Sequence, residues 1–186
     1  MTPLDAAARR SRDGASFPLG NRLFRAVWTV AWLLLARWTP PPFHAWRRLV
    51  LRLFGARIGT GARIHASVHI WYPPHLAVGA GALLGPGVRC YNQGRIDIGA
   101  GAVISQRAHL CASSHDIGDP HFQLVLRPVR IGSRAWVAAE AFVGPGVVVG
   151  EGAVIAARAA LFDPAEPWGV YRGNPARLER TRRLRG

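Results

Sequence analysis

The chain has no lysine. Its positive charge is all arginine, 24 residues against ten acidic ones, for a formal net charge of +14 and a pI near 11.7. That balance favours anionic partners such as phosphate-bearing ligands or anionic lipid. It does not make a nucleic-acid binder, because no nucleic-acid recognition motif accompanies it and the arginines collect at the two ends, in residues 1–55 and from Arg172 to Arg185. Cysteine is scarce as well. Cys90 and Cys111 are too few for a disulfide framework and are not spaced as zinc ligands, so they read as free thiols of a reducing compartment. A bilayer-spanning run is also missing: the apolar stretch Ala26 to Ala36 covers eleven residues, where roughly 20 are needed. The first residues are polar and arginine-rich, with Asp5 and Asp13 and no apolar core before a small-residue cleavage site. No secretory signal is expected, and a cytoplasmic location is.

What the chain has in abundance is glycine, 21 residues, and from Ile58 it falls into a period of six. The clearest copies are Ile58-Gly59-Thr60-Gly61-Ala62-Arg63, Val78-Gly79-Ala80-Gly81-Ala82-Leu83, Ile98-Gly99-Ala100-Gly101-Ala102-Val103 and Ile131-Gly132-Ser133-Arg134-Ala135-Trp136. Val143-Gly144-Pro145-Gly146-Val147-Val148 and Val149-Gly150-Glu151-Gly152-Ala153-Val154 continue them. A hexapeptide period marks a parallel β-helix, an all-β solenoid in which three hexamers make one triangular coil. The leading aliphatic points inward and is buried only when neighbouring coils stack on it. Small residues belong at the corners, where a Cβ collides or φ must be positive. The coils starting at 58, 78 and 98 are twenty residues apart, eighteen plus a two-residue extension placed near Ala77 and Asp97. The expected organisation is an N-terminal helical segment over 1–55, a β-helix over 56–171 and a short basic tail over 172–186.

Ahead of the solenoid, Trp28 and Trp32 stand one helical turn apart, with Asn21 as a candidate cap and Pro40-Pro41-Pro42 as a stop. A second helix follows. Phe43, Trp46, Leu49, Val50, Leu53 and Phe54 are expected on its buried face, with Arg47, Arg48 and Arg52 on the polar one. Two roles fit these helices: a cover for the open end of the solenoid, or an interfacial segment over residues 20–54 that meets a membrane.

The register breaks once, between His115 and Val129, and a long excursion from a rigid scaffold is where function is expected. The loop 116–130 leaves at His115 and Asp116. One coil earlier, Cys90-Tyr91-Asn92-Gln93 puts bulky polar residues where a hexamer wants small ones. Asn92 precedes His115 by 23 residues, close to one extended coil, which sets both side chains on neighbouring coils facing one groove.

These segments resemble the hexapeptide-repeat acetyltransferases, and among them the branch of colanic acid biosynthesis acetyltransferases. The resemblance rests on Leu19-Gly20-Asn21-Arg22-Leu23, Cys90-Tyr91-Asn92, Ile104-Ser105-Gln106-Arg107-Ala108 and Ser114-His115-Asp116. It continues in Ala135-Trp136-Val137-Ala138-Ala139 and Gly173-Asn174-Pro175-Ala176. It implies a left-handed β-helix, a homotrimer, and acetyl transfer from acetyl-CoA to a sugar hydroxyl of an exopolysaccharide precursor, free or lipid-linked. His115 is then the general base, since an imidazole is mostly neutral near pH 7. Asn92 holds the acceptor, and Asp116 or Glu140 orients the imidazole. The coenzyme lies along Trp136, Ala138, Ala139, Gly144, Ala156 and Ala157, with Arg172, Arg177 and Arg180 on its phosphates. The chain departs from its relatives at Asp163, where a lysine is usual, and at Ala156, where a glycine is. Two other readings share the solenoid: a non-catalytic scaffold, and a γ-carbonic-anhydrase-like metalloenzyme. The second draws on the histidines at 65, 69, 75, 109, 115 and 121, although His115 and His121 are six apart rather than five. No metal is expected in the acetyltransferase reading.

Overall fold

The structure, a computed structural model, describes residues 16–183. The leader reading that involves Asp5 and Asp13, and Arg185 of the tail, lie outside the described residues. Two helices, α1 (Leu19–Leu35) and α2 (His44–Leu53), precede the solenoid. The first coil is β1 (Arg57–Ile58), β2 (Arg63–Ile64) and β3 (His69–Ile70); the second is β4 (Leu76–Val78), β5 (Leu83–Leu84) and β6 (Arg89–Tyr91). The third is β7 (Ile96–Ile98), β8 (Val103–Ile104) and β9 (His109–Cys111), and is followed by a hairpin, β10 (Ser113–His115) and β11 (Leu124–Leu126). Coil four is β12 (Val129–Ile131), β13 (Trp136–Val137) and β14 (Phe142–Val143), and coil five is β15 (Val148–Val149), β16 (Val154–Ile155) and β17 (Ala160–Leu161). The chain closes with β18 (Gly169–Gly173) and β19 (Ala176–Thr181).

Equivalent strands stack in parallel into three faces. On the first, Ile58, Val78, Ile98, Ile131 and Val149 form one buried column; Ile64, Leu84, Ile104, Val137 and Ile155 form the second, and Ile70, Cys90, Leu110, Val143 and Leu161 the third. Each aliphatic residue in a column contributes about 1.5–3 kcal/mol by leaving water. Coils approach one another closely at the corner after the first face. A Cβ added to Gly79 would overlap the backbone of Gly99 and Ala100 in the next coil, so only glycine fits. The two-residue extension is not at Ala77 and Asp97, which pair with each other inside strands. It lies in the third corner: Ile70 to Val78 and Cys90 to Ile98 each span eight residues, whereas Val143 to Val149 spans six.

The stacking explains the helical cap. In parallel coils a backbone group is paired through the neighbouring coil, some N–H groups donating to the next coil and others, such as Gly81 N to Thr60 O at 2.9 Å, donating back. First-coil N–H groups donate upward, as Arg63 N does to Ala82 O at 2.8 Å and His69 N to Val88 O at 2.8 Å. The carbonyls at the open end are left facing outward and need donors. Side chains supply them: Arg52 Nε to Ile58 O at 2.9 Å, Arg48 Nη1 to Ala62 O at 3.0 Å and Arg47 Nε to Ile64 O at 2.7 Å. Trp32 Nε1 donates to Ala66 O at 3.2 Å, and Trp28 Nε1 to Ile70 O at 2.8 Å.

This arrangement keeps Val50 and Phe54 against the core as expected but turns the rest of the expected face of α2 outward. Arg47 is wholly buried, its remaining N–H groups donating to Thr39 Oγ1 and to the Pro40 and Pro41 carbonyls, and burial lowers its pKa. Leu53, expected inside, is 74% exposed, and Phe43, Trp46 and Leu49 are exposed with it. An amphipathic pattern identifies two faces; here the face rich in hydrogen-bond donors was needed against the carbonyl rim. Asn21 does not cap α1 either. The helix starts after Pro18, and Asn21 Oδ1 accepts from Arg25 Nε one turn on, at 3.0 Å. At the far end the expected tail is a hairpin: β18 crosses the 171/172 boundary and pairs antiparallel with β19.

Candidate active site

The third corner is where the coil count breaks. From Leu110 to Ile131, paired one coil on with Val143 and Val149, the chain covers 21 residues instead of six. The surplus folds back on itself as the β10–β11 hairpin, with Ser113 opposite Leu126 and His115 opposite Leu124. Its tip closes through Asp116 N to Gln123 O at 2.9 Å and Phe122 N to Asp119 O at 2.8 Å. Phe122 takes a left-handed conformation, φ 52°. That turns its ring flat against the imidazole of His115, with centroids 4.3 Å apart and planes 8° from parallel, and turns its carbonyl toward His115 Nδ1 at 2.8 Å.

A carbonyl only accepts, so Nδ1 carries the proton and Nε2 keeps its lone pair. His115 is exposed and borders a cavity of about 330 Å³ with Arg127 and Pro145. The Phe122 carbonyl thereby sets the tautomer of the neutral ring. The orienting group is the Phe122 backbone and not Asp116 or Glu140. Asp116 Oδ1 accepts from Gly118 N at 2.9 Å in a local turn. Glu140 lies at another corner, between Arg107 (2.9 Å) and Arg158 (2.7 Å), and the Arg158 hydrogen bond, then the two positive charges, lowers its pKa.

Asn92 also departs from expectation. It is fully buried, its Oδ1 accepting from Trp71 N at 2.9 Å and Tyr72 N at 3.2 Å while Nδ2 donates to Tyr72 O at 2.6 Å. The side chain clamps the extended corner ahead of the Pro73–His75 turn and presents nothing to an acceptor. Its neighbour Gln93 is the more open group. Gln93 is buried, its Nε2 donates to Tyr91 Oη at 2.8 Å, and its Oε1 has no hydrogen-bond partner.

The residues assigned to a coenzyme divide between corners. Ala138 and Ala139, with Ala156 and Ala157 one coil on, stack at the corner between the second and third faces. Among the described residues the Ala139 and Ala157 N–H groups make no hydrogen bond. Trp136 flanks them on the second face, its Nε1 donating to Ser105 Oγ at 2.9 Å. Gly144, by contrast, belongs to the corner of His115. Arg172 and Arg177 face one another across the terminal hairpin, where Arg172 pairs with Glu179 at 3.0 Å and Arg177 with Asp163 at 3.2 Å, while Arg180 is exposed.

Two further features have no signal in the hexapeptide pattern. One is the Phe122 carbonyl, a backbone group on an irregular loop. The other is an aromatic groove of about 520 Å³ between α1 and the third face, with Trp28, Trp71, Tyr91 and His109 among its walls and Arg25 stacked 4.1 Å over Trp71. Burial raises the Cys90 thiol there to about 12 and, with Arg89, lowers His109. Several histidines serve local structure: His65 Nδ1 meets Ser67 Oγ at 2.8 Å, and His75 Nδ1 donates to Gln93 O at 2.6 Å. Among the described residues no three His, Cys, Asp or Glu side chains are grouped to hold a metal ion.

No protein-family model matches the chain. Over 163 residues it is 41% identical to the putative colanic acid biosynthesis acetyltransferase WcaF of Escherichia coli K12, covering 88% of this chain and 90% of that protein. The chain belongs to this acetyltransferase family. Two solved structures share the acetyltransferase's fold at lower identity. A maltose O-acetyltransferase from Clostridium difficile superposes with a TM-score of 0.83 at 19% identity, over 99% of each chain. A hexapeptide-repeat-containing acetyltransferase from Vibrio cholerae, complexed with acetyl coenzyme A, gives 0.82 at 17% identity over 91% of this chain and 93% of its own. No described helix of the acetyltransferase is long and apolar enough to cross a membrane.

Proposed function

We propose that the protein is an O-acetyltransferase that moves acetyl from acetyl-CoA to a hydroxyl of a saccharide, a precursor of colanic acid or a related exopolysaccharide. The observation that carries this reading is the imidazole of His115, locked by the Phe122 carbonyl with Nε2 bare beside a cavity. Nε2 takes the hydroxyl proton as the oxygen attacks the thioester carbonyl, then returns it to the departing thiolate. A positioned base of this kind contributes about 10²- to 10⁴-fold in rate. The unpaired Ala139 and Ala157 N–H groups and the short side chains of Ala138, Ala139, Ala156 and Ala157 suit an amide-bearing pantetheine arm alongside the Glu140 and Arg158 side chains. The aromatic groove, with Cys111 among its lining residues, offers ring faces against which a sugar packs.

The division of residues between corners supports a trimer. The His115 hairpin leaves one corner and the alanine trough runs along another, so a second protomer's trough beside the hairpin completes the site. We place the protein in the cytoplasm, with residues 20–54 in contact with a membrane where lipid-linked saccharides are presented. The N-terminal helices would serve as cap and contact, the coils with the 116–130 loop as catalytic domain.

The test is thioester cleavage with acetyl-CoA against free, nucleotide-linked and lipid-linked sugars, for wild type and His115→Ala, with sedimentation to establish the oligomer. Acceptor-dependent turnover by a trimer, lost in the variant, is expected. Acetyl-CoA that neither binds nor reacts would overturn the reading in favour of a scaffold, and an active monomer would overturn the shared site.

A further inference from the structure

We propose that the outward side of the two N-terminal helices lies in the headgroup layer of an anionic bilayer, with both helices parallel to the membrane plane. The inference deepens the membrane contact included in the proposed function. It rests on that reading only for the statement that a lipid-linked acceptor is met there.

The cap uses one side of each helix, and the opposite side is apolar and uncovered. On α1, Leu23, Val27, Val30 and Leu34 recur in steps of four, three and four and are 54–61% exposed, with Trp38 beyond them at 74%. On α2, Trp46, Leu49 and Leu53 are exposed in the same way, and Trp46 Nε1 donates to Leu35 O at 2.7 Å, joining the two helices. A contiguous apolar surface of this kind marks an interaction site. Leucine, valine and tryptophan on one face of helices too short to span are the composition of an in-plane interfacial element.

Charge selects the occupant. Between Asp13 and Asp97 the chain has no acidic residue, while Arg22 and Arg37 lie exposed at the edge of the apolar side. A second copy docked through this face would oppose arginine to arginine with no carboxylate between them, a repulsive arrangement. Anionic headgroups around an apolar layer complement both parts of the surface. The α2 arginines are not part of the lipid contact, because Arg47, Arg48 and Arg52 are turned onto the first-coil carbonyls. The inner side of α1 lines the aromatic groove through Trp28, so a bound bilayer brings its surface alongside that groove.

The experiment uses the full chain with vesicles of phosphatidylcholine alone and with about a third phosphatidylglycerol, read by co-sedimentation and by Trp fluorescence. Wild type should bind the anionic vesicles, and less in high salt. Val30→Glu/Leu34→Glu, and separately Leu49→Glu/Leu53→Glu, should each weaken partitioning by about tenfold or more with unchanged melting temperature. No binding of wild type at low salt would overturn the proposal, as would undiminished binding of both variants or a change of sedimentation mass in either. Turnover of a soluble acceptor, measured on the same samples, separates the two readings: vesicle binding without turnover sinks acetyl transfer alone, and turnover without vesicle binding sinks the membrane face alone.

Discussion

The second and third corners of the triangular coil are built from the same chain by the same rule, and they have diverged. Between the second and third faces every coil takes six residues, Ile64 to Ile70, Leu84 to Cys90 and on to Ile155 to Leu161. Side chains there repeat so closely that Arg107, Glu140 and Arg158, one per coil, form an ion-pair ladder in left-handed conformations. The third corner spans eight, eight, 21 and six residues in successive coils. Constant spacing lines up like residues from coil to coil, with Ala138, Ala139, Ala156 and Ala157 beside that ladder. Variable spacing releases backbone from the stack, which lets a carbonyl turn toward an imidazole.

Substitutions at regular and irregular corners should therefore separate activity from stability. The largest expected effect is His115→Ala, a loss of turnover of about 10²- to 10⁴-fold with the thermal midpoint unchanged, because the imidazole is exposed and holds no coil together. Gly79→Ala, at the regular first corner, should do the reverse. Its Cβ meets rigid backbone on the next coil, and chemical denaturation should register a loss of several kcal/mol, roughly 2–4.

Asn92→Ala tests how far the third corner is structural. Removal leaves the Tyr72 N–H without its partner, while Trp71 N keeps Cys90 O at 3.2 Å and Tyr72 O keeps His75 N at 3.0 Å, a cost of about 1–3 kcal/mol; unchanged stability with a raised acceptor KM would return Asn92 to a binding role. Phe122→Ala should lower kcat by about tenfold while sparing KM for acetyl-CoA, since the carbonyl remains but the stacking that fixes the ring is gone. If kcat is unchanged, the hydrogen bond alone orients His115.

The smallest effect belongs to Glu140→Gln. Glu140 has a lowered pKa, so its ladder stabilises the fold above the ordinary carboxylate range and that contribution is lost as pH falls through the depressed folded value. Wild type should lose stability on acidification below the ordinary carboxylate pKa more steeply than the variant. Parallel acid limbs in thermal melts would mean the ladder is fully screened, as exposed pairs often are.

Much of this protein was legible before any coordinates. The hexapeptide period dictates coils, inward columns and glycine corners, because a residue's neighbours above and below are determined by counting. It also locates the break at His115, and the resemblance of the segments around it points to the acetyltransferase family. Counting fails where partners lie outside the period. The face of α2 that turns inward depends on an unpaired carbonyl rim that exists only once the first coil is closed, and the same rim takes the Trp28 and Trp32 indoles. Asn92 reads as a groove residue until the extended corner folds over it. The tautomer of His115 hangs on a backbone carbonyl at Phe122, seven residues away on an irregular turn, and no side-chain pattern encodes it. Periodicity thus determined the scaffold and the address of the candidate site. Tertiary structure decided the orientation of each polar group, because a hydrogen bond depends on which backbone atoms are left unpaired, and that is known only when the whole stack is assembled.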